Sequence, residues 1–312
     1  MEEYYGPNGF CRTGIALQYK VDGKTVDGVD GILGGKTTAA MERFIRGESP
    51  GQVSTSSSGG LNLTSEERTI IETVLHSGNK VGTDMVRQAQ DIASKKGYGD
   101  LLGKSGIDGS FGGKTRSALS EVMGDFYTNT ISDAANKHDV PPSVLKGLLK
   151  QESQFDRYAV SPAGAKGIAQ IMPGTAKELG IDPMNPEQSI EGAAKYLREQ
   201  YDRLSEAATD DDRWRLSLAS YNAGRGNIND AMREYAAKEG LAPNLGKETS
   251  LKGIAGQIPA RPVLYEHLPN VTSDRSTETQ GYVENIYGTA GERGGYAAEY
   301  EKDFNYQYFR IE

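Results

Sequence analysis

Leu145, Leu148, Leu149 and Glu152 fall at i, i+3, i+4 and i+7, one face of a helix that Pro141 and Pro142 are suited to open. A carboxylate therefore ends a row of leucines, on the side that turns inward. Burial disfavours the charged form of a carboxyl and raises its pKa, and a helix C-terminus pushes the same way. A carboxyl kept protonated near neutral pH can serve as a general acid. The other reading of the stripe is a glutamate at a helix end turned out to solvent, as most glutamates are.

Other chemistries find little support. Cys11 is the only cysteine, so no intrachain disulfide can form. His76, His138 and His267 are scattered and show no metal-ligand spacing. Asp22, Asp27 and Asp30 lack the spacing and terminal glutamate of a calcium loop, so turn chemistry explains them better. Neither a cofactor motif nor a nucleophilic triad is visible. A formal charge of −8 argues against nucleic acid as a partner.

The stretch after Glu152 sharpens the reading. It runs Glu152-Ser-Gln-Phe155, then Ala159-Val-Ser161, then Gly164-Ala-Lys-Gly-Ile-Ala-Gln170-Ile-Met172-Pro-Gly-Thr175. Ala219-Ser-Tyr221-Asn222-Ala-Gly224 and Glu278-Thr-Gln-Gly-Tyr282-Val283 come later, in that order. Together these resemble the soluble lytic transglycosylase domain (family 1), with its goose-type lysozyme fold, over residues 126 to about 290. Ile168-Ala169 departs from the Leu-Met or Leu-Phe usual before the glutamine, which bears on substrate positioning and not on the chemistry.

The resemblance implies roles. Glu152 would be the single catalytic acid/base. Ser161, Gln170, Met172, Asn222, Tyr221 and Tyr282 would contact the sugar, and Glu278 would support the site. Gln170 can donate and accept, and tyrosines offer sugars an apolar face with a polar tip. Gly164 and Gly167 would let the backbone turn close to the saccharide. Met172 filling a core gap, Gly224 capping a helix and Asn222 holding its turn are the plainer alternatives. The implied reaction cleaves the β-1,4 bond between N-acetylmuramic acid and N-acetylglucosamine and leaves a 1,6-anhydromuramic end. The rivals are a hydrolytic muramidase of the same fold and a silent wall-binding virion component. For hydrolysis, Asp156, Glu178, Asp182 or Glu191 would have to activate water; solvated or capping carboxylates are the alternative for all four.

The elements that must position these residues read as mainly α: a lysozyme-like (goose-type) catalytic domain with small helical peptidoglycan-binding-like N-terminal parts. Residues 1–47 hold a weak first repeat, 48–60 a Ser/Gly-rich linker, 61–125 a second repeat domain and 126–312 the catalytic domain. Residues 29–37 are echoed by 107–115, where Asp108-Gly-Ser-Phe-Gly112 supplies a tight turn before a helix. With residues 86–98 upstream, the second copy resembles the small three-helix peptidoglycan-binding domain, which implies wall anchoring. Thr64 to Glu67 form a capping box leading into Ile70, Ile71, Val74 and Leu75. Ser189 is expected to cap a helix bearing Ile190, Ala194, Leu197, Tyr201 and Leu204. Asp210 to Asp212 would precede another with Trp214, Leu218 and Tyr221 inside. Residues 304–311 alternate as a strand would.

The first residues show neither a basic start nor an apolar core, so no export signal or membrane span is expected. With an extracytoplasmic substrate, that suggests a bacteriophage origin, as a virion-borne wall-opening enzyme or an endolysin. Peptidoglycan glycan strands would be the partner, joined by other virion proteins in the first case.

Overall fold

A computed structural model describes residues 17–21, 24–28, 60–241, 251–260, 262–268, 273–289 and 294–304. Two compact units result: Met1–Ser57 with Asn305–Glu312, and Ser58–Phe304. In the first, β1 (Leu17–Val21) pairs antiparallel with β2 (Lys24–Gly28), Leu17 opposite Gly28 and Val21 opposite Lys24. The first repeat at 29–37, nearly all of the linker and the strand expected over 304–311, save Phe304, lie outside the described residues.

The second unit is helical, as expected. Helix α1 (Ser65–Ser77) starts on the anticipated capping box: Thr64 Oγ1 accepts from the Glu67 amide at 3.1 Å, and the Glu67 carboxylate accepts from the Thr64 amide at 2.8 Å. Helix α2 (Thr83–Ala93) runs into an irregular turn at Gly97, whose φ is 98°. The turn before α3 (Gly113–Phe126) folds around one side chain of the 86–98 stretch. Buried Gln90 donates to Asp108 Oδ1 (2.9 Å), the Ser110 carbonyl (3.2 Å) and Thr115 Oγ1 (3.0 Å), and accepts from the Gly109 amide (2.7 Å). Asp108, Gly109 and Ser110 of the Asp-Gly-x-Phe-Gly turn thus bond inward to one amide side chain, while the Phe111 backbone bonds another, Asn79.

Helix α4 (Thr128–Lys137) comes after α3 with a single residue between them, Tyr127, and the core runs unbroken from Ile71 through Tyr127 to Phe304. The boundary drawn at 125/126 is therefore a junction inside one packed body. Helix α5 (Pro142–Ser153) begins at the two prolines and buries Leu145, Leu148 and Leu149 completely. Its other buried face carries cations. Lys146 is 0% exposed; its ammonium bonds Asp125 at 2.5 Å and Asp303 at 2.7 Å and lies 4.6 Å from the Tyr300 ring centroid. Lys150 pairs with Glu121, which also accepts from the Tyr300 hydroxyl.

Short helix α6 (Pro173–Leu179) leads to α7 (Pro186–Asp202), whose cap corrects the expectation. Asn185 Oδ1 accepts from the Gln188 amide at 3.0 Å, with Pro186 in the first turn, while Ser189 is fully buried inside the helix. The Asn-Pro pair outranks the serine because the proline fixes the start. Helix α8 (Asp210–Ala223) is capped by Thr209, so Asp210 to Asp212 form its first turn instead of preceding it, where carboxylates suit the helix dipole. Helices α9 (Arg225–Lys238), α10 (Pro262–Tyr265), α11 (Ser273–Tyr287) and α12 (Gly295–Tyr300) complete the unit. No described helix is long and apolar enough to cross a membrane.

Candidate active site

Glu152 sits in the last turn of α5, half-buried, and accepts a 2.6 Å hydrogen bond at Oε1 from the Tyr282 hydroxyl of α11. Burial pushes its carboxyl up from 4.5 to about 7, and the Tyr282 bond pulls it partly back down. The inward-turning reading of the leucine stripe is the one the fold adopts. Tyr221 and Tyr282 are themselves held well above the ordinary phenol value, by burial first and then by the Glu152 charge. Both phenols are therefore neutral donors beside the carboxyl.

Just past Glu152 the chain makes a sharp turn. Gln154 and Phe155 both take left-handed backbone, with φ of 55° and 64°. Burial of the Phe155 ring, against a site where a Cβ on Gly124 would lie 2.8 Å from it, offsets that strain. The chain then folds into a small layer of bridges, Val160 opposite Lys166 and Lys166 opposite Ile171. Ser153 Oγ donates to the Ile168 carbonyl at 2.7 Å and ties this layer to α5.

The expected site residues divide by what they touch. Gln170 (φ 48°) spends its amide hydrogens on the carbonyls of Ala159 (3.1 Å) and Gly167 (2.9 Å), leaving only Oε1 to accept from a ligand. Its dual donor and acceptor role is corrected accordingly. Ser161 Oγ accepts from the Ala165 amide at 3.0 Å. Tyr221 donates to the Ala169 carbonyl at 2.8 Å and packs edge-on to Tyr196, with centroids 5.4 Å apart. Met172 is 45% exposed and does not fill a core gap. Asn222 Oδ1 accepts from Thr279 Oγ1 at 2.9 Å, joining α8 to α11, which favours its holding role. Glu278 is exposed, one turn before Tyr282; its neighbour Thr279 makes the link.

The glycines also change their reason. A Cβ on Gly167 (φ 76°) would lie 1.7 Å from the Pro183 carbonyl oxygen, so the close approach is to the protein's own backbone and not to a saccharide. Gly164 (φ 90°) has open space beside it, and only its backbone angle demands glycine. Gly224 (φ 86°) caps α8, as its plainer reading held.

The four carboxylates considered as water activators have other partners or face solvent. Asp156 is buried, accepts from the Tyr158 amide at 2.9 Å and faces His76 Nδ1 at 3.0 Å. Asp182 accepts from the Met184 amide, Glu191 pairs with Lys137 at 2.5 Å, and Glu178 is exposed. Among the described residues no second carboxylate shifts Glu152, and no group of metal-ligating side chains is present.

Sequence reading missed Tyr196, Ser153 and Thr279. Tyr196 lies off the apolar stripe of α7, while Thr279 stands inside a recognised motif beside a charged residue that looks the more functional of the two.

Curated relatives match part of the chain. Membrane-bound lytic murein transglycosylase F 2 of Alkalilimnicola ehrlichii is 40% identical over 123 residues, covering 39% of this chain and 26% of the relative. Membrane-bound lytic murein transglycosylase F of Hahella chejuensis is 41% identical over 116 residues, 37% of this chain and 23% of the relative. The chain thus spans about a quarter of the length of these relatives. The 70 kDa soluble lytic transglycosylase of Escherichia coli superposes with a TM-score of 0.40 at 21% identity, covering 70% of this chain and 32% of that one. Residues 129–242, which carry Glu152, Gln170 and Tyr221, match the Transglycosylase SLT domain.

Proposed function

We propose that the protein is a peptidoglycan lytic transglycosylase that cuts the β-1,4 bond between N-acetylmuramic acid and N-acetylglucosamine. The observation that carries this is Glu152: one carboxyl, buried to a pKa of about 7, held by one phenol. Two-carboxylate glycosidases divide the acid and nucleophile or base roles between two groups. Here one group is poised to do both in turn, because its pKa lies near neutrality. Glu152 gives its proton to the bridging oxygen as the bond to muramic acid C1 breaks. The substrate's 2-acetamido group steadies the positive charge. Ionised Glu152 then takes the proton of the C6 hydroxyl as that oxygen attacks C1, closing the 1,6-anhydro ring. Tyr282 holds the carboxylate in the ionised interval. The names of the relatives support the substrate, as does the SLT match around Glu152.

Mass spectrometry of soluble products from purified murein tests this. Products ending in 1,6-anhydromuramic acid are expected; reducible muramic acid ends would mean that water attacks, as in the muramidase reading. Residues 61–125 enter the proposal as a wall-binding part, checked by sedimentation of the Glu152→Gln protein with murein. The virion origin belongs to the proposal as well. Detection of the chain in purified phage particles supports it, and absence there removes it; the relatives named above are bacterial.

A further inference from the structure

The turn that follows Glu152 is held from outside the catalytic stretch. Helix α5 ends at Ser153, and the next two residues, Gln154 and Phe155, take left-handed backbone, with φ of 55° and 64°. Two successive residues other than glycine in that region cost energy, so other contacts must fix the turn. Asp156 closes it. Its amide donates to the Ser153 carbonyl at 3.2 Å, its carbonyl accepts from the Ala159 amide at 3.2 Å, and its Oδ1 accepts from the Tyr158 amide at 2.9 Å. The second carboxyl oxygen, Oδ2, meets His76 Nδ1 of α1 at 3.0 Å, across 80 positions of sequence. A carboxylate only accepts, so the ring donates.

Helix α1 brings a row of side chains to this turn. Arg68, Glu72 and His76 stand at i, i+4 and i+8, on one face of the helix. His76 takes Asp156 and lies edge-on to the Tyr158 ring, with centroids 5.7 Å apart. Glu72 is buried and pairs with Arg157 at 3.7 Å; Arg68 Nε holds it at 2.7 Å and the Tyr127 hydroxyl at 3.4 Å. Three consecutive residues, Asp156, Arg157 and Tyr158, therefore each meet α1. The buried Phe155 ring before them lies against Gly124 of α3. A wall-binding part joined only by its chain connection would need none of these contacts.

We propose that α1 is a positioning element for the lytic reaction: His76, through Asp156, sets the turn that fixes where the Glu152 carboxyl points. The inference rests on the lytic reading and gives residues 61–125 a task besides wall anchoring. Glu152 must hand a proton to the bridging oxygen and then take one from the C6 hydroxyl, so a small error in its place costs rate. His76 acts through the turn, and its loss therefore shows in kcat and not in KM. The His76 side chain is 47% exposed, so its replacement leaves no core cavity.

Two substitutions separate the hydrogen bond from the ring contact, each made in the full chain and assayed on intact murein sacculi and on short soluble glycan strands. His76→Phe keeps a ring beside Tyr158 and removes the donor. It lowers kcat about tenfold on both substrates with KM within about twofold. Its Tm stays within about 4 °C of wild type, since a half-exposed pair holds little stability. His76→Asn carries a side-chain N–H in the place of Nδ1 and keeps kcat within about twofold. An unchanged kcat in His76→Phe overturns the positioning role, as do equal losses in His76→Phe and His76→Asn. A loss on sacculi alone overturns it too and leaves α1 to wall anchoring. A wild-type protein inactive on both substrates overturns the lytic reading itself.

Discussion

Glu152 links function to stability through one proton. Its folded pKa of about 7 lies above the ordinary 4.5, so the native state keeps a proton that the unfolded chain releases. Stability from this group is full below pH 4.5 and is lost as pH rises to about 7. Glu152→Gln abolishes cleavage and raises stability at about pH 8 by up to roughly 3 kcal/mol, with no gain at about pH 4, as denaturant titrations at the two pH values would show. A gain independent of pH would mean that the carboxyl is not buried in its charged form. Tyr282→Phe removes the one bond that favours the ionised form, so the Glu152 pKa rises further. The alkaline fall of kcat/KM should move to higher pH while the maximal rate drops, because ionised Glu152 loses its partner in the second half of the reaction. An unmoved limb would detach Tyr282 from the proton. Glu152 was legible in the sequence because leucines at helical spacing declare a face. Tyr282 was legible only as part of a motif, since no local pattern says that a residue 130 positions away will reach it.

At the scale of elements, α5 and the bridged layer form one positioning device. Ser153 and Tyr221 hold the layer through the Ile168 and Ala169 carbonyls, and Thr279 holds α8 to α11 through Asn222. Gly167→Ala sets a Cβ against the Pro183 carbonyl in left-handed backbone. It should cost more than about 3 kcal/mol and lower activity through displacement of Gln170, measurable as a fall in Tm alongside the rate. Thr279→Val is gentler, about 1 kcal/mol for a lost hydrogen bond with an unsatisfied Asn222 oxygen left behind. Helix starts marked by proline and capping chemistry were legible at Thr64 and Pro142. Ser189 misled because a good capping residue lay inside a start already fixed by Asn185 and Pro186.

For the whole molecule, the family match at 129–242 is narrower than the body that holds the site. Tyr282 lies beyond it on one side and Asp125, a partner of Lys146, on the other. Residues 58–304 are expected to unfold in one calorimetric transition, with van't Hoff and calorimetric enthalpies equal. A fragment of 129–242 should not fold, since it lacks both carboxylates that neutralise fully buried Lys146 and much of the shared core. Two separate transitions, or a folded fragment, would restore the boundary at residue 125.

The sequence by itself determined the helical class, the glutamate, the order of the motifs and several helix starts, because periodicity and capping are local properties of the chain. Only the tertiary structure decided which groups meet Glu152, that Gln170 serves its own loop, that Gly167 yields to Pro183, and that residues 61–125 share a core with the site. Those outcomes depend on contacts between residues far apart in sequence, where burial and hydrogen-bond satisfaction, not local spacing, select the partner.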